Sequence, residues 1–265
     1  MGRAVLAAVV VTLVLRAFVG ALLVALVAGA ASPPGATPAA PGVALVELFT
    51  SEGCSSCPPA DALLERLVHE AEGSGRRVYG VSLHVDYWDQ LGWRDRFSSA
   101  AVTRRQSQYA RRFGLKSIYT PEVVVNGDGE CVGSNAGAVQ GQIDRALSHA
   151  SQLTPGLSVS AEGQELRVRC DVPHPPRGAT LNVAWVQSSA VSAPDAGENG
   201  GRTLRHVNVA RDLKTVDLGA GFHDVIVLHR PELQDGEVIA WVQAANQGSV
   251  LGAGAVAVRA QAPAR

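Results

Sequence analysis

The sequence predicts two folded parts, an α/β part over residues 42–153 and a mainly β, sandwich-like part over residues 154–265. In the first part, apolar runs of strand length alternate with segments of helical periodicity, which is typical of a parallel or mixed sheet covered by helices. In the second part, short alternating segments follow one another without a helical period, which is typical of a β-sandwich. We therefore expect an α/β domain followed by a β domain.

An N-terminal signal peptide is predicted over residues 1–31, since a basic start precedes a long apolar run and a small-residue site at residues 28–30. Interrupted only by Arg16, the run also has the length of a membrane anchor, which needs roughly 20 apolar residues. A Pro/Ala linker over residues 32–41 follows the site in place of basic stop-transfer residues, which favours cleavage. Either alternative predicts a periplasmic or secreted protein, membrane-anchored only if the segment stays uncleaved.

The charge pattern argues against nucleic acid as a partner. The chain holds 23 basic and 24 acidic residues, which gives a formal net charge of −1. It has no stripe in which basic and aromatic residues interleave, as nucleic-acid-binding surfaces do.

The motif that organises the first part is Cys54 and Cys57, separated by two serines. It lies between a predicted buried strand over residues 43–48 and a predicted helix that ends at residues 73–75. The two sulfurs lie one helical turn apart and can form a disulfide. The first thiol faces the helix N-terminus, which lowers a cysteine pKa. Half of a zinc site and a static bridge are the alternatives. No second Cys/His pair at ligand spacing follows, and a four-residue ring constrains the unfolded chain little, so the context favours redox chemistry.

The following elements continue the α/β pattern. They are a second strand reached by a right-handed crossover, an aromatic loop, a basic amphipathic helix, a strand opened by a proline, its hairpin partner and a last helix. In that order they cover residues 77–85, 86–95, 99–113, 118–127, 130–133 and 135–147. Trp88 and Trp93 lie in the aromatic loop, at the end of a sheet strand where clefts form in open α/β sheets. We expect them to line a cleft over the cysteines.

This order of elements is similar to the thioredoxin fold. Four motifs together resemble a secreted thioredoxin-like family catalogued as domain-of-unknown-function family 1223: FTSEGCSSCPPAD, HVDYWDQLGWRD, YTPEVVVNG and GENGGRTL. The resemblance implies Cys54 as the attacking thiol and Cys57 as the resolving thiol of a redox-active disulfide that needs no other cofactor. It also implies that Thr120 and Pro121 match the family's cis-proline, beside the two sulfurs. We further expect Cys54 to have the lower pKa and to be the more exposed of the pair.

Three other side chains near the motif have open roles. Glu47 is either a proton relay beneath the cysteines or a strand-edge acid, since it lies one residue off the spacing that thioredoxins use. Glu52 is expected to be an exposed loop carboxylate. His84 is expected to be hydrogen-bonded at a strand end, and it gives an alternative metal site with Cys54 and Cys57, because soft Cu(I) suits two thiolates.

In the second part, strands are predicted at residues 157–160, 166–172, 180–187, 223–229, 238–244 and 250–258. The glycine-rich segment 198–208 is either a hairpin connection or a docking surface for a partner or for the first part. Cys131 and Cys170 remain, and they either pair with each other or stay as two separate thiols.

The predicted function is an exported thiol-disulfide oxidoreductase that acts by mixed-disulfide exchange. Its partners would be a protein thiol or disulfide client and a redox recycling partner. The alternative is a non-catalytic binding module on a thioredoxin scaffold, holding Cu(I) or a client protein. Whether the protein oxidises, reduces or isomerises depends on a redox potential that the residues leave open.

Overall fold

The computed structural model describes residues 41–260. The predicted signal peptide, and the linker up to residue 40, lie outside the described residues. Within residues 41–260, no helix combines the length and the apolar character needed to cross a membrane.

Three helices and eleven strands make up the described chain. The helices are α1 (Pro58–Ser74), α2 (Ala100–Phe113) and α3 (Ala136–Ser148). The first four strands are β1 (Ala44–Thr50), β2 (Val78–His84), β3 (Glu122–Val125) and β4 (Gly129–Val132). The others are β5 (Gly156–Glu162), β6 (Glu165–Pro173), β7 (Thr180–Ser192), β8 (Leu204–Asp217), β9 (Gly221–His229), β10 (Gly236–Gln243) and β11 (Val250–Val258).

Eight of the strands form one mixed sheet in the order β11-β10-β7-β8-β2-β1-β3-β4, and β5, β6 and β9 form a second, three-stranded sheet. β1 and β2 are parallel, as the crossover through α1 predicts. β8 continues the sheet on the other side of β2, with Ser82 opposite Val209. Four strands from beyond residue 153 thus extend the sheet that β1 to β4 begin.

The expected fold class, an α/β thioredoxin-like domain followed by a sandwich-like β domain, is therefore wrong. The described chain is mostly β, with a large mixed sheet and only three helices. The error arises at β8, for which no strand is predicted. Its buried positions include the polar side chains His206 and Asn208, so the alternation that marks a half-buried strand is absent from its sequence.

The two faces of the large sheet are covered by different helices. On one face, Leu48 of β1 belongs to an apolar cluster with Ala60 and Leu64 of α1. On the other face, Phe49 packs with Tyr109 of α2, their ring centroids 6.2 Å apart. Because successive residues of a strand point to opposite faces, the α1 face and the α2 face of β1 are distinct environments.

Candidate functional site: a capped disulfide

Cys54 and Cys57 form a disulfide at the start of α1. Cys57 is the N-cap of the helix, and its carbonyl accepts the first helical hydrogen bonds, from the N–H groups of Ala60 at 2.8 Å and Asp61 at 3.1 Å. Cys54 lies on the preceding turn, with its sulfur 3.3 Å from the Ser56 hydroxyl. The first two helical residues are prolines, which have no N–H, and the next two N–H groups are bonded to the Cys57 carbonyl. The positive dipole end of α1 still lies beside the cysteines, which favours a thiolate after reduction.

Both cysteines are fully buried, each with 0% of its surface exposed. The expectation that Cys54 would be the more exposed of the two is therefore wrong. Sequence reasoning placed the motif between a strand and a helix without identifying what covers it, because the covering segment comes from much later in the chain.

That covering segment is residues 198–202, between β7 and β8, which we call the cap segment. The buried side-chain amide of Asn199 donates hydrogen bonds to the carbonyls of Glu52 at 2.8 Å and Cys54 at 3.0 Å. The Ser55 N–H donates to the Glu198 carboxylate at 2.9 Å. Hydrogen bonding by Ser55, through its side chain and then its backbone, lowers the pKa of Glu198. Arg202 donates to the Asn199 side-chain oxygen at 2.7 Å. The glycine-rich segment therefore docks on the cysteine loop through polar contacts.

Trp88 connects the cysteine loop to the Thr120–Pro121 peptide, which is cis, as expected. The indole N–H of Trp88 donates to the Thr120 hydroxyl at 2.9 Å. A Cβ added to Gly53 would lie only 3.0 Å from the Trp88 Cβ, so the tryptophan packs directly on the residue before Cys54. The structure thus brings Thr120 and the cysteine loop together around one aromatic side chain.

Pro121 packs close to the first turn of α1. A Cβ added to Gly133 would lie 3.2 Å from both the Pro121 Cβ and the Ala60 Cβ, so the three residues meet at one point. Ala60 is three residues after Cys57. The four residues expected from the resemblance therefore lie in one region of the fold.

A cluster of buried ionisable side chains lies next to the disulfide. Its five members are Glu52, Asp61, His84, Asp95 and His206. One ring nitrogen of His206 lies 3.9 Å from a Glu52 oxygen, and the other lies 3.7 Å from an Asp61 oxygen. The rings of His84 and His206 meet edge-on, with centroids 4.8 Å apart. In the described residues neither nitrogen of His206 has a hydrogen-bond partner within normal geometry. The cluster therefore consists of acid–base groups that are almost entirely shielded from water, none of them more than 6% exposed.

Asp95 fixes two parts of this cluster. Its carboxylate lies 2.6 Å from His84 Nδ1 and accepts from the Glu52 N–H at 2.9 Å. Burial by itself would lower the pKa of His84, but the charge and hydrogen bond of Asp95 outweigh it, and the pKa is raised. Burial would likewise raise the pKa of Asp95, but His84 and the backbone N–H donors bring it below its usual value. The two groups therefore favour a buried ion pair.

Glu52 is the acid that sequence reasoning misjudged. It was expected to be exposed, but it is fully buried, and one of its oxygens accepts a 2.6 Å hydrogen bond from the Trp93 indole. Glu47, the expected candidate for a proton relay, lies on the α2 face of β1, opposite α1. There its carboxylate pairs with Arg105, with Oε2 2.5 Å from Nε, and accepts from the Tyr109 hydroxyl at 2.6 Å. The geometry thus gives Glu52, and not Glu47, a place beside the cysteines.

The alternative metal site of Cys54, Cys57 and His84 gains no support from the geometry. Within residues 41–260 no group of three or more His, Cys, Asp or Glu side chains is arranged to hold a metal ion, and His84 is instead held by Asp95. Cys131 and Cys170 are both free thiols, so the open question of their pairing is answered by two separate cysteines. Burial raises the pKa of each to about 11, which makes both poor nucleophiles at neutral pH.

Sequence reasoning missed Asn199, His206, Asp61 and Asp95 as parts of the site. A signal for three of them was present in the motifs, because Asp61 ends the cysteine motif, Asp95 ends the aromatic-loop motif and Asn199 lies in the glycine-rich one. His206 has no local signal, since its partners Glu52 and Asp61 lie about 150 residues earlier in the chain.

A family model described as "Protein of unknown function (DUF1223)" matches residues 45–243, which is three quarters of the chain. The chain belongs to the DUF1223 family. The matched residues include the cysteine motif, the cap segment and β8, so the family match spans every part of the site. No curated protein matches this DUF1223 chain.

Two solved structures are similar to this DUF1223 protein over most of its length. A crystal structure of a protein from Agrobacterium tumefaciens is 26% identical, with a TM-score of 0.60, and the match covers 83% of this chain and 96% of that chain. HBP35 of Porphyromonas gingivalis is 14% identical, also with a TM-score of 0.60, and the match covers 84% of this chain and 77% of that chain. At 14% identity the likeness shows the fold alone.

Proposed function

We propose that this DUF1223 protein is an exported thiol-disulfide oxidoreductase whose reactive couple is Cys54–Cys57. The observation that carries the proposal is a disulfide at the N-terminus of α1, covered by a short polar segment. A disulfide that closes a loop of only four residues adds little stability to a fold, so stabilisation alone gives little reason for this bridge.

The exchange would run through a mixed disulfide. In the reduced protein, the Cys54 thiolate attacks a client disulfide, a Cys54–client bond forms, and one client thiolate leaves. Cys57 then attacks Cys54, the mixed disulfide breaks, and the second client thiol leaves. Two electrons pass from the cysteine pair to the client, and the reverse sequence oxidises a client dithiol.

The buried cluster would supply proton exchange during these steps. Asp61 lies one helical turn after Cys57, on the same side of α1, and His206 bridges Asp61 and Glu52 within 3.9 Å. Removing a proton from the Cys57 thiol requires a base, and in this proposal the base comes from these three groups.

Because both cysteines are buried, a client protein can reach Cys54 only when the cap segment moves. The cap segment contains no apolar side chain and is held by hydrogen bonds, which water or client groups can replace at modest cost. The cap segment therefore acts as a gate in this proposal.

The test is a redox titration combined with client trapping. We expect the couple to equilibrate with a glutathione buffer, with a potential near −270 mV for a reductant or near −120 mV for an oxidant. In Cys57→Ser, mixed disulfides with clients should accumulate through Cys54, whereas the matched Cys54→Ser variant should form none. A couple that never exchanges with glutathione would contradict the proposal. Tight Cu(I) binding without exchange would favour the alternative of a binding module.

A further inference from the structure

A second candidate site lies in a groove that shares no lining residue with the disulfide site. Its walls are α2, strands β7 and β8 and the turn between β10 and β11, and it has a volume of about 680 Å³. That volume lies within the range of small-molecule sites, roughly 300 to 1,000 Å³. The proposed thiol chemistry makes no use of this groove.

The groove is strongly basic although the chain as a whole is slightly acidic. Four arginines of α2 line it, Arg104, Arg105, Arg111 and Arg112, and Asp217 is the acid among the lining residues. The sequence of α2 contains no aspartate or glutamate. Arg105 is neutralised by its ion pair with Glu47. Within the described chain the other three arginines form no ion pair with a carboxylate.

The floor of the groove is built from buried polar groups. Arg105 and Asn182 are 6% and 0% exposed, and both line the groove. The Asn182 side-chain oxygen accepts hydrogen bonds from Arg105 Nη1 at 3.3 Å and from the Thr215 hydroxyl at 2.8 Å. A buried guanidinium that also bonds Tyr109 and Gln243 is held rigidly. The floor therefore consists of polar groups fixed by their mutual hydrogen bonds, beside the apolar side chains that also line the groove.

The three guanidiniums that form no ion pair define the ligand, although one of them, Arg112, donates a 3.1 Å hydrogen bond to the Gly127 carbonyl. Arg104 and Arg111 are seven residues apart on one face of α2, which at 1.5 Å per residue separates them by about 10 Å along the helix. Planar guanidinium groups fit phosphate oxygens, often with two hydrogen bonds each. Several positive charges spaced over such a length match a ligand whose own negative charges are linked in a row. We propose that this groove binds a small oligophosphate.

Calorimetric titration of the purified full-length protein with tripolyphosphate, in low-salt buffer, tests the proposal. We expect one saturable site, and binding at least about tenfold weaker for orthophosphate, which can reach only one end of the groove. Arg104→Gln with Arg111→Gln should weaken tripolyphosphate binding by at least about tenfold. The matched control, Arg66→Gln with Arg167→Gln, removes the same charge from exposed arginines outside the groove and should bind as the wild type does.

Three results would overturn the proposal. One is no saturable binding of tripolyphosphate by the wild type. Another is equal affinity for orthophosphate and tripolyphosphate, which would mean a single-anion contact. The third is an equal loss of affinity in both double variants, which would mean attraction by net charge alone.

Discussion

Replacing Asn199 by alanine should open the cap over the disulfide. The Asn199 amide donates two hydrogen bonds, at 2.8 Å to the Glu52 carbonyl and 3.0 Å to the Cys54 carbonyl. Each such bond contributes roughly 0.5–1.5 kcal/mol, so the closed cap loses about 2 kcal/mol relative to the open one. Since about 1.4 kcal/mol corresponds to a factor of ten, the open population rises about 30-fold.

The assay is the rate at which a dilute phosphine reduces Cys54–Cys57 in the folded protein, followed by quenched alkylation and mass spectrometry. Asn199→Ala should be reduced about 30-fold faster than the wild type, because reduction requires the open cap. The control is Ile226→Val, a change in the apolar core of the three-stranded sheet that costs roughly 0.5–1.5 kcal/mol of global stability. It should be reduced at the wild-type rate. Refutation would be a wild-type rate for Asn199→Ala, or the same acceleration in both variants.

Three further predictions concern buried charges. The pKa of His84 in the folded protein is raised above 6.5, so the stability that His84 contributes is complete below pH 6.5 and is lost as the pH rises through that folded pKa. The pKa of its partner Asp95 in the folded protein lies below 3.8, so the stability that Asp95 contributes is lost as the pH falls through that pKa. In urea unfolding, His84→Gln should therefore cost most near pH 5 and less at pH 9, and a pH-independent cost would contradict the ion pair. Burial raises the pKa of Glu122 to about 7, so wild-type stability should decline as the pH rises from about 5 to 8. Glu122→Gln should make this decline smaller, leaving the part that comes from His84, and a variant whose stability declines by as much as that of the wild type would disprove the assignment. Arg105→Met should reduce the free energy of unfolding by roughly 3–5 kcal/mol, because it leaves the buried Glu47 carboxylate without its partner. Adding Glu47→Leu should restore most of that stability, and a double variant as unstable as Arg105→Met would mean that the ion pair itself stabilises the fold.

Local elements were predictable from the sequence because their signals are local. The boundaries of α2 follow from Ser99, whose hydroxyl accepts from the Ala101 N–H at 3.2 Å, and from Gly114 at its end. Asn135 caps α3 in the same way, through the Ala138 N–H at 3.1 Å. The cysteine motif at the start of α1 is local too, and the disulfide it predicts is present.

The joining of the two halves was not predictable in this way. β8 is identified only by its partners, because Asn208 is buried to bond the Gly80 carbonyl at 3.1 Å and His206 is buried between two carboxylates. Both residues look like loop residues in the sequence. The burial of Glu52 depends on the same strand. Prediction from hydrophobic periodicity assumes that buried strand positions are apolar, so it misses β8. That strand joins the two halves of the large sheet and supplies His206 to the site.

The origin of the cap has a consequence for the order of events during synthesis. Asn199 follows Cys54 by 145 residues, so a growing chain presents its cysteines long before their cover has been made. During that interval any oxidant or thiol in the surroundings can react with them, whereas in the finished protein access passes through the cap. A chain that stops short of residue 198 would keep the complete cysteine motif and lack its cover. Protection of this disulfide is thus a sign that the later strands have been made and have folded.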